Sequence, residues 1–524
     1  MSDTKHPSKP ELAELQERKR KLGDAARPDA VAKRRKTGQR TARENVADLV
    51  DAGSFHEYGG LTVAAQRLRH TEEELEKISP ADGLIAGIAT VNAADHGDER
   101  ARCAVLAYDY TVFAGTQGTM NHKKLDRLIE VVEAGRLPVV LFAEGGGGRP
   151  SDVDVNMIAG LDLTTFGHFA RLSGLVPKVG IVSGRCFAGN AALLGCCDVI
   201  IATANSNIGM GGPAMVEGGG LGVFAPEDIG PIGVQSHNGV VDIDVSDEAA
   251  AVAAAKHYLS FFQGPLTTWE APDQAPLADI IPENRRRAFQ VRKVLETVAD
   301  QGSLLELRKH FGRSLVTALL RIEGRPVGAI ANDCRHLGGA LDADASDKAA
   351  RFLQLCDAFG LPVISFCDTP GFMVGPDAEK HALVRHTSRF FIAAATLSVP
   401  MYTVVLRRGY GLGAMAMAGG NTHASFFTVA WPTGDFGAMG VDGAVKLGFK
   451  KQLADIADPK DRDDMFKQLV AMAYERGKAV NMATHLEIDD VIDPLETRAR
   501  LVRGLKSVPP VSPGRERRRV VDAW

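Results

Sequence analysis

The feature that most constrains this chain is a long-range internal repeat. The stretch KLDRLIEVVEAGRLPVVLFAEGGG (124–147) matches KAARFLQLCDAFGLPVISFCDTPG (348–371) position by position. The matched pairs, each 224 positions apart, are Leu137 and Leu361, Glu144 and Asp368, and Gly147 and Gly371. Self-similarity at one fixed spacing indicates that the same structural unit is built twice.

Two further segments extend the repeat. AYDYTVFAG (107–115) matches ANDCRHLGG (331–339), again 224 positions apart. VPKVGIVSGRCFAGNAALLG (176–195) matches VPMYTVVLRRGYGLGAMAMAG (399–419), where Phe187 pairs with Tyr410 at an offset of 223. An offset held across three segments predicts a tandem of two similar domains.

Apolar runs that end in glycine alternate with stretches of helical period, which is typical of an α/β fold with largely parallel strands. A chain of 524 residues is also too long for one ordinary core. We therefore predict two tandem α/β domains related by internal duplication. The predicted parts are a charged N-terminal helix or arm at 1–45, a first domain at 46–270 and a second domain at 271–524, with a proline- and charge-rich linker around 264–287.

Charge and composition exclude several classes of protein. The formal net charge of −4 argues against a general nucleic-acid binder. The polar start lacks the apolar core of a secretion signal, and no apolar run approaches the roughly 20 residues of a membrane span. The odd count of seven cysteines argues against a complete disulfide framework, so we expect a cytoplasmic protein. His381 and His386 are five positions apart, off the spacing that would bind one ion, and no metal site is predicted.

The segment AKRRKTGQRTARENV (32–46) is strongly basic. Charge runs of this kind usually form a solvated helix face or a linker. The alternative is an anion site near the active centre, and the sequence leaves both interpretations open.

Two loops of small residues occupy equivalent places in the repeat. SGRCFAGNAALLG (183–195) and RRGYGLGAMAMAG (407–419) each follow an apolar strand and open a helix. A helix start presents unpaired backbone N–H groups and the positive end of the helix dipole, and small residues let a ligand approach them. Such loops can hold a phosphate or a developing oxyanion. The alternative is close helix–strand packing, with glycine present only for clearance.

Three other interpretations of these loops are weak or fail. GLGAMA (411–416) fits the loose dinucleotide fingerprint after a strand, but its repeat partner FAGNAALL does not. Ile181 and Arg185 stand where a serine-hydrolase elbow around Ser183 would need glycine. No glycine-rich run ends in the Gly-Lys-Ser/Thr of a nucleotide phosphate loop.

Together these segments resemble the carboxyltransferase, or beta, subunits of biotin-dependent acyl-CoA carboxylases. That family includes the propionyl-, methylcrotonyl- and acetyl-CoA carboxylases and belongs to the crotonase-like (ClpP/crotonase) superfamily. The resemblance covers nearly the whole chain after the first thirty residues. It is carried by TGQRTARENVADLVDAGSF, ADGLIAGIATV, YDYTVFAGTQG, GRCFAGNA, EGRPVGAIAND, LDADASDKAARFLQLCDAFGLPVISFCDTPGF, RGYGLGAMAM and AWPTGDFGAMG.

The resemblance implies roles for both loops. Backbone amides of the first would receive the thioester oxygen as an enolate forms, and those of the second would receive the ureido oxygen of biotin. The catalytic amides are expected at Ala188, Gly189 and Asn190 and at Gly411, Leu412 and Gly413. The CoA side is expected to include Gly145, Gly146, Gly147 and Phe187, and the biotin side Thr369, Pro370, Gly371, Phe372 and Tyr410.

The resemblance also implies the chemistry and the partners. Carboxybiotin would release carbon dioxide, the biotin anion would take the α-proton, and the enolate would attack the carbon dioxide, with no metal in this chain. AMAMAGG (414–420) lacks the lysine of a biotin-carrier motif, so biotin is expected on a partner biotin carboxylase/biotin carrier alpha subunit. We expect a dimer-based hexamer in which acyl-CoA lies on the N-terminal domain and carboxybiotin approaches from the C-terminal domain of another subunit. No nucleic-acid or membrane partner is expected.

Two departures from the family pattern bear on the substrate. AEGGGGRP (143–150) replaces the commoner Asp-Ser-Gly-Gly-Ala-Arg, and Asn190 stands where most relatives have glycine. Both lie where the acyl group or pantetheine is expected. The sequence in this region most resembles the carboxyltransferase part of long-chain acyl-CoA carboxylases. Two alternatives stay open: the carboxyltransferase of a sodium-pumping decarboxylase, and a non-catalytic scaffold that binds acyl-CoA.

Overall fold

The computed structural model describes residues 9–154, 159–509 and 520–524. The predicted arm at 1–45 is therefore described from residue 9 onward. By its internal contacts the chain divides between Gln263 and Gly264, at the start of the stretch predicted as a linker.

Unit 1, up to Gln263, contains a seven-stranded mixed sheet and a separate two-stranded pair. The sheet order is β1-β2-β3-β4-β5-β7-β9, and β6 pairs with β8. β1, β2 and β3 are antiparallel, and every later pairing is parallel. The strands are β1 (His56–Glu57), β2 (Leu84–Thr90), β3 (Arg102–Tyr108), β4 (Val139–Phe142), β5 (Lys178–Val182), β6 (Arg185–Phe187), β7 (Val199–Thr203), β8 (Asn207–Gly209) and β9 (Ile243–Val245).

The helix α7 of unit 1 buries an apolar stripe against this sheet. In α7 the buried Leu125, Leu128, Ile129 and Val132 recur every three or four residues, as one face of a helix requires. The helices are α1 (Pro10–Arg20), α2 (Pro28–Arg35), α3 (Ala42–Leu49), α4 (Glu72–Ile78), α5 (Ala93–His96), α6 (Asp98–Ala101), α7 (Thr119–Gly135), α8 (Thr165–Ala170), α9 (Gly189–Gly195), α10 (Pro213–Gly218), α11 (Ile232–Gln235) and α12 (Glu248–Ser260).

Unit 2, from Gly264, has a sheet of the same design. Its order is β10-β11-β12-β13-β14-β15-β17, with two antiparallel pairings first and parallel pairings after them, and β16 extends it beside the end of β14. The strands are β10 (Leu305–Leu307), β11 (Leu315–Ile322), β12 (Arg325–Asn332), β13 (Val363–Thr369), β14 (Met401–Tyr410), β15 (Phe427–Ala430), β16 (Asp435–Gly437) and β17 (Asp490–Val491). The predicted α/β class with largely parallel sheets is confirmed.

A second apolar core lies around the central strands β11–β15 of unit 2. The helix α14 is preceded by Asp342, whose carboxylate accepts the amide N–H of Ala345 at 2.8 Å and so caps the first turn. The helices are α13 (Val291–Val298), α14 (Ala343–Ala358), α15 (Pro376–Glu379), α16 (Leu383–Ala395), α17 (Gly411–Met417), α18 (Val441–Gly448), α19 (Lys450–Ala454), α20 (Pro459–Gly477), α21 (Ala479–Thr484) and α22 (Thr497–Ser507).

A pair of buried lysines shows how closely the two units agree. Lys124 and Lys348, 224 positions apart, sit on α7 and α14. The Lys124 ammonium donates to the carbonyl of Leu84 at 2.5 Å, and that of Lys348 donates to the carbonyl of Leu315 at 2.7 Å. Each acceptor is the first residue of the second strand of its sheet. Within the described ranges, no helix is both long and apolar enough to cross a bilayer.

Candidate active site

The first small-residue loop joins β6 to α9 in unit 1. Ala188 adopts φ 51° and ψ −123°, a conformation that L-residues rarely take and that marks a strained turn. Its amide N–H donates to the carbonyl of Gly209 at 3.1 Å. The amides of Gly189 and Asn190 donate to no acceptor among the described residues. The strained turn therefore leaves two adjacent N–H groups at the start of α9.

The glycine segment Gly145–Gly147 runs alongside this loop. The Gly145 amide donates to the carbonyl of Arg185 at 2.7 Å, and its carbonyl accepts the amide of Phe187 at 2.9 Å. Gly145 has φ 112°, and a Cβ there would lie 2.6 Å from the carbonyl oxygen of Ala114, so only glycine fits. A Cβ on Gly147 would approach that of Ala188 to 2.9 Å. The predicted CoA-side and catalytic segments are thus brought together.

The side chain of Asn190 is turned away from this surface. It is fully buried, and its amide nitrogen donates to the carbonyl of Gly115 at 2.9 Å and to that of Glu144 at 2.8 Å. We expected this residue beside the acyl group. Its side chain instead ties the start of α9 to the loops behind it, and only its backbone amide can serve as a donor.

Gln117 contacts this loop and was not singled out from the sequence. Its backbone amide donates to the carbonyl of Gly147 at 3.0 Å, and its carbonyl accepts the amide of Arg149 at 2.8 Å. Its side-chain nitrogen donates to the hydroxyl of Tyr108 at 3.0 Å, which leaves the side-chain oxygen against Gly189. Its repeat partner in the sequence is the apolar Leu341, so the repeat did not mark Gln117. Only the structure shows that the Leu341 amide likewise donates to the carbonyl of a loop glycine, at 3.1 Å.

The second loop joins β14 to α17 in unit 2. Gly411 has φ 59° and follows Tyr410, which pairs with Gly437 of β16. The amides of Leu412 and Gly413 lie in the first turn of α17, where a helix supplies no acceptor. A Cβ on Gly413 would lie 2.7 Å from the carbonyl carbon of Gly371 and 3.0 Å from the amide nitrogen of Phe372. The start of α17 and the 369–372 loop therefore touch backbone to backbone.

Thr369–Phe372 turns back on itself beside this contact. The Gly371 amide donates to the Thr369 hydroxyl at 3.1 Å, and the Phe372 ring lies 5.9 Å from that of Phe391. The buried Tyr410 donates its hydroxyl to the carboxylate of Asp435. Burial, with the negative Asp435 carboxylate beside it, raises the pKa of Tyr410, which keeps the phenol protonated.

A cavity of about 400 Å³ adjoins this loop within unit 2. Pro370 and Tyr410 lie in its wall, together with the guanidinium groups of residues 285–287 and of strand β14. The arginines in the lining are Arg285, Arg286, Arg287, Arg407 and Arg408. The carboxylates of Asp435 and Asp442 also lie in the lining, but the arginines outnumber them, so the cavity is suited to a ligand that carries negative charge.

Comparison with known proteins identifies the family. Residues 33–509 match the model of the carboxyl transferase domain. The chain belongs to the carboxyl transferase family. The predicted activity class, the carboxyltransferase of biotin-dependent acyl-CoA carboxylases, is confirmed by its relatives.

The biotin-dependent long-chain acyl-coenzyme A carboxylase beta4 subunit of Mycobacterium tuberculosis is 30% identical over 520 residues, which are 95% of this chain and 94% of that protein. A single-chain, multi-domain long-chain acyl-CoA carboxylase of solved structure is 58% identical with a TM-score of 0.90. The match covers 95% of this chain but 49% of that one, so this carboxyltransferase spans about half of its length. The transcarboxylase 12S structure, a hexamer with methylmalonyl-CoA bound, is 28% identical with a TM-score of 0.83 and covers 98% and 99%.

A buried carboxylate precedes the glycine segment in each half of this carboxyltransferase. Burial raises the pKa of Glu144 to about 7, against the opposing charge of Arg34. Burial also acts to raise the pKa of Asp368, but hydrogen bonds from Arg408 and Arg407 outweigh it and lower that pKa. Each loop is thus anchored by an ion pair removed from water.

The predicted site residues fall into two groups, one in each unit. Apart from Gly146, whose Cβ position has no neighbour within 4 Å, the unit 1 residues are linked by the contacts above. In the ranges 9–154, 159–509 and 520–524, no group of three His, Cys, Asp or Glu side chains could hold a metal ion.

Proposed function

We propose that this carboxyltransferase moves a carboxyl group from carboxybiotin to the α-carbon of an acyl-CoA thioester. The observation that carries the proposal is the repeated loop. In both units a strand ends, a helix of small residues begins with unpaired amides, and a glycine segment lies against its first turn. Preorganised backbone donors of this kind stabilise an oxygen that gains negative charge during a reaction.

In unit 1 the amides of Gly189 and Asn190 would hold the thioester oxygen. As the α-proton leaves, negative charge develops on that oxygen, and donors already fixed in place cost no reorganisation. Ala188 positions them, because its own amide is bound to Gly209 and its strained turn sets the direction of α9. The open face over Gly146 gives the acyl group room to approach.

In unit 2 the residues present fit a biotin ureido group. The amides of Gly411–Gly413 would receive its oxygen, and the arginine-lined cavity beside Pro370 and Tyr410 would accept the anionic carboxyl group. When bound, carboxybiotin supplies the carbon dioxide and, after its release, the base that takes the α-proton. The protein's own part is to hold the two reacting oxygens and to keep the loops in place.

The side chains at the first loop are consistent with this division of labour. Among the described residues that touch it, Gln117 and Asn190 carry amide groups, which do not titrate in water. Both are committed to internal hydrogen bonds. A proton acceptor at the α-carbon is therefore expected to come from the bound ligand.

We further propose a long-chain acyl-CoA as the substrate class. Two of the relatives are long-chain acyl-CoA carboxylases by name. In this chain the segment that follows Gly209, the acceptor of the Ala188 amide, carries exposed apolar side chains. They are Met210, Met215, Leu221, Val223 and Phe224. An apolar surface beside the thioester site would bind a chain of many methylenes at about 0.8 kcal/mol per buried CH₂.

The family resemblance also suggests the partner subunit, the oligomeric state and the origin of the two domains. We propose that biotin arrives on a partner biotin carboxylase/biotin carrier alpha subunit and that copies of this chain form a dimer-based hexamer. We also propose that two crotonase-like domains, at 46–270 and 271–524, arose by duplication. The shared strand order and the repeated loop hydrogen bonds support this origin.

The test is a turnover screen over acyl chain length, with the purified chain and its biotin-carrying partner. We expect acyl-CoA-dependent loss of carboxyl from the carboxylated carrier. The KM should fall by up to roughly fourfold per added methylene until the apolar segment is covered. Leu221→Ser should raise the KM for long chains and leave that for short chains unchanged. No transfer to any acyl-CoA, with the partner present, would refute the proposal.

A further inference from the structure

The two buried carboxylates, Glu144 and Asp368, stand at equivalent positions but obtain their cations in different ways. In unit 2 the strand β14 runs unbroken to Tyr410 and carries the arginines itself. Arg407 donates to Asp368 at 2.7 Å and Arg408 at 2.8 Å. The cation is thus built into the strand that leads to the second loop.

In unit 1 the corresponding strand cannot do this. It is interrupted between β5, which ends at Val182, and β6, which begins at Arg185. Gly184, the repeat partner of Arg407, has φ 89°, and a Cβ there would lie 3.0 Å from the Glu144 carboxylate and 2.7 Å from Gln39. Arg185, the partner of Arg408, has a half-exposed side chain that pairs with Glu227.

In unit 1 the N-terminal arm supplies the cation that the interrupted strand lacks. Arg34, the one buried residue of α2, donates through both terminal nitrogens to the two Glu144 oxygens, each at 2.6 Å. Gln39 donates to the Ser183 carbonyl at 2.8 Å, where the strand is broken. The basic segment that the sequence left open thus pairs with a carboxylate of its own chain.

From Glu144 the connection continues into the first loop. Its carbonyl accepts the side-chain amide of Asn190 at 2.8 Å, and Gly145, the next residue, exchanges hydrogen bonds with Arg185 and Phe187. A shift of the Glu144 backbone would therefore move the start of α9.

We propose that Arg34 is a positioning residue for the thioester half of the site: the arm supplies, from outside the repeated fold, the cation that β14 supplies within unit 2. This inference rests on the proposed function, because it concerns the amides assigned to the thioester oxygen. Without Arg34 the buried Glu144 carboxylate lacks its partner, and leaving one charge of a buried pair alone is strongly unfavourable.

The experiment compares Arg34→Gln with Arg35→Gln in the full chain with its biotin-carrying partner. Arg35 is the adjacent residue of α2, with a half-exposed side chain that pairs with Glu44. For Arg34→Gln we expect kcat to fall by about tenfold or more, with KM for acyl-CoA changed less than about threefold, since the amides would be misplaced while the ligand still binds. Arg35→Gln should keep the wild-type kcat.

A double variant tests whether Arg34 acts through Glu144. Arg34→Gln/Glu144→Gln replaces the ion pair by two neutral amides, and we expect it to recover most of the lost kcat. If Arg34→Gln does not fold, Arg34→Lys takes its place; it keeps the charge but loses the two-pronged geometry, and its kcat should fall several-fold at unchanged KM.

Three results would overturn the inference: a wild-type kcat in Arg34→Gln or, if that variant does not fold, in Arg34→Lys; equal losses in Arg34→Gln and Arg35→Gln; or no recovery in the double variant. Failure of the proposed function has a different signature, because the wild-type chain itself would then show no transfer.

Discussion

The contact between α17 and the 369–372 loop gives the sharpest test of the second loop. In Gly413→Ala the new Cβ would lie 2.7 Å from the carbonyl carbon and 2.8 Å from the Cα of Gly371. Both atoms belong to the backbone, so no side-chain rotation relieves the clash. Since ordinary carbon contacts lie at about 3.5–4 Å, the two segments must separate by roughly 1 Å.

That separation would move the amides at the start of α17, which are assigned to the biotin oxygen. A misplacement of about 1 Å can cost on the order of 100-fold in rate, or about 2.7 kcal/mol of transition-state stabilisation. We therefore expect Gly413→Ala to lower kcat for carboxyl transfer by about 100-fold. The affinity for acyl-CoA should stay at the wild-type value, because the thioester loop belongs to unit 1.

The assay is steady-state transfer from the carboxylated carrier, paired with calorimetric titration of acyl-CoA. Gly195→Ala is the matched control: Gly195 is the last residue of α9, and a Cβ there meets nothing within 4 Å. A Gly413→Ala protein that keeps its thermal stability and turns over within threefold of wild type would refute the assignment of the second loop.

Three further predictions follow from named contacts. Gly189→Ala would bring a Cβ to 2.1 Å from the Gln117 side-chain oxygen, so we expect kcat to fall about tenfold. Adding Gln117→Ser should largely restore kcat in the same assay, and no recovery would contradict this account. Burial lowers the pKa of Lys348 to about 7 in the folded chain. Between pH 7 and the ordinary pKa of lysine the unfolded chain therefore binds more protons than the folded chain, and the free energy of unfolding rises with pH. Urea unfolding of wild type relative to Lys348→Met should show a gain on the order of 2 kcal/mol from pH 7 to 9, and an equal difference at both pH values would count against it. Tyr410→Phe removes the donor to the buried Asp435 carboxylate and should lower the free energy of unfolding by about 1–3 kcal/mol, whereas an unchanged urea midpoint would show that the bond contributes little.

Much of the fold could be predicted because its signals are local. Strand and helix patterns recur at offsets of 223–224 positions. The buried Lys124 and Lys348, and likewise Glu144 and Asp368, occupy matching places in the two units. Small residues at a strand end are needed wherever two backbones come close, so the site loops also stood out in the sequence. Gly413 shows the reason directly, since its neighbour is the backbone of Gly371.

Other features depend on contacts between distant segments. Ala188 and Gly189 look equivalent in sequence, but only the amide of Ala188 is taken by Gly209. Asn190 could have faced the substrate or the interior, and its two backbone acceptors decide for the interior. Hydrogen bonds of this kind are set by tertiary packing, which a local pattern does not record.

The basic segment is the clearest case. Lys33, Arg34 and Arg35 are alike as a charge run, and the sequence allowed either a solvated face or an anion site. The sequence alone determined that two similar α/β units would each carry a small-residue loop. Only the folded chain decided that Arg34 pairs with Glu144, 110 positions away, because burial beside an interrupted strand selects one arginine from its neighbours.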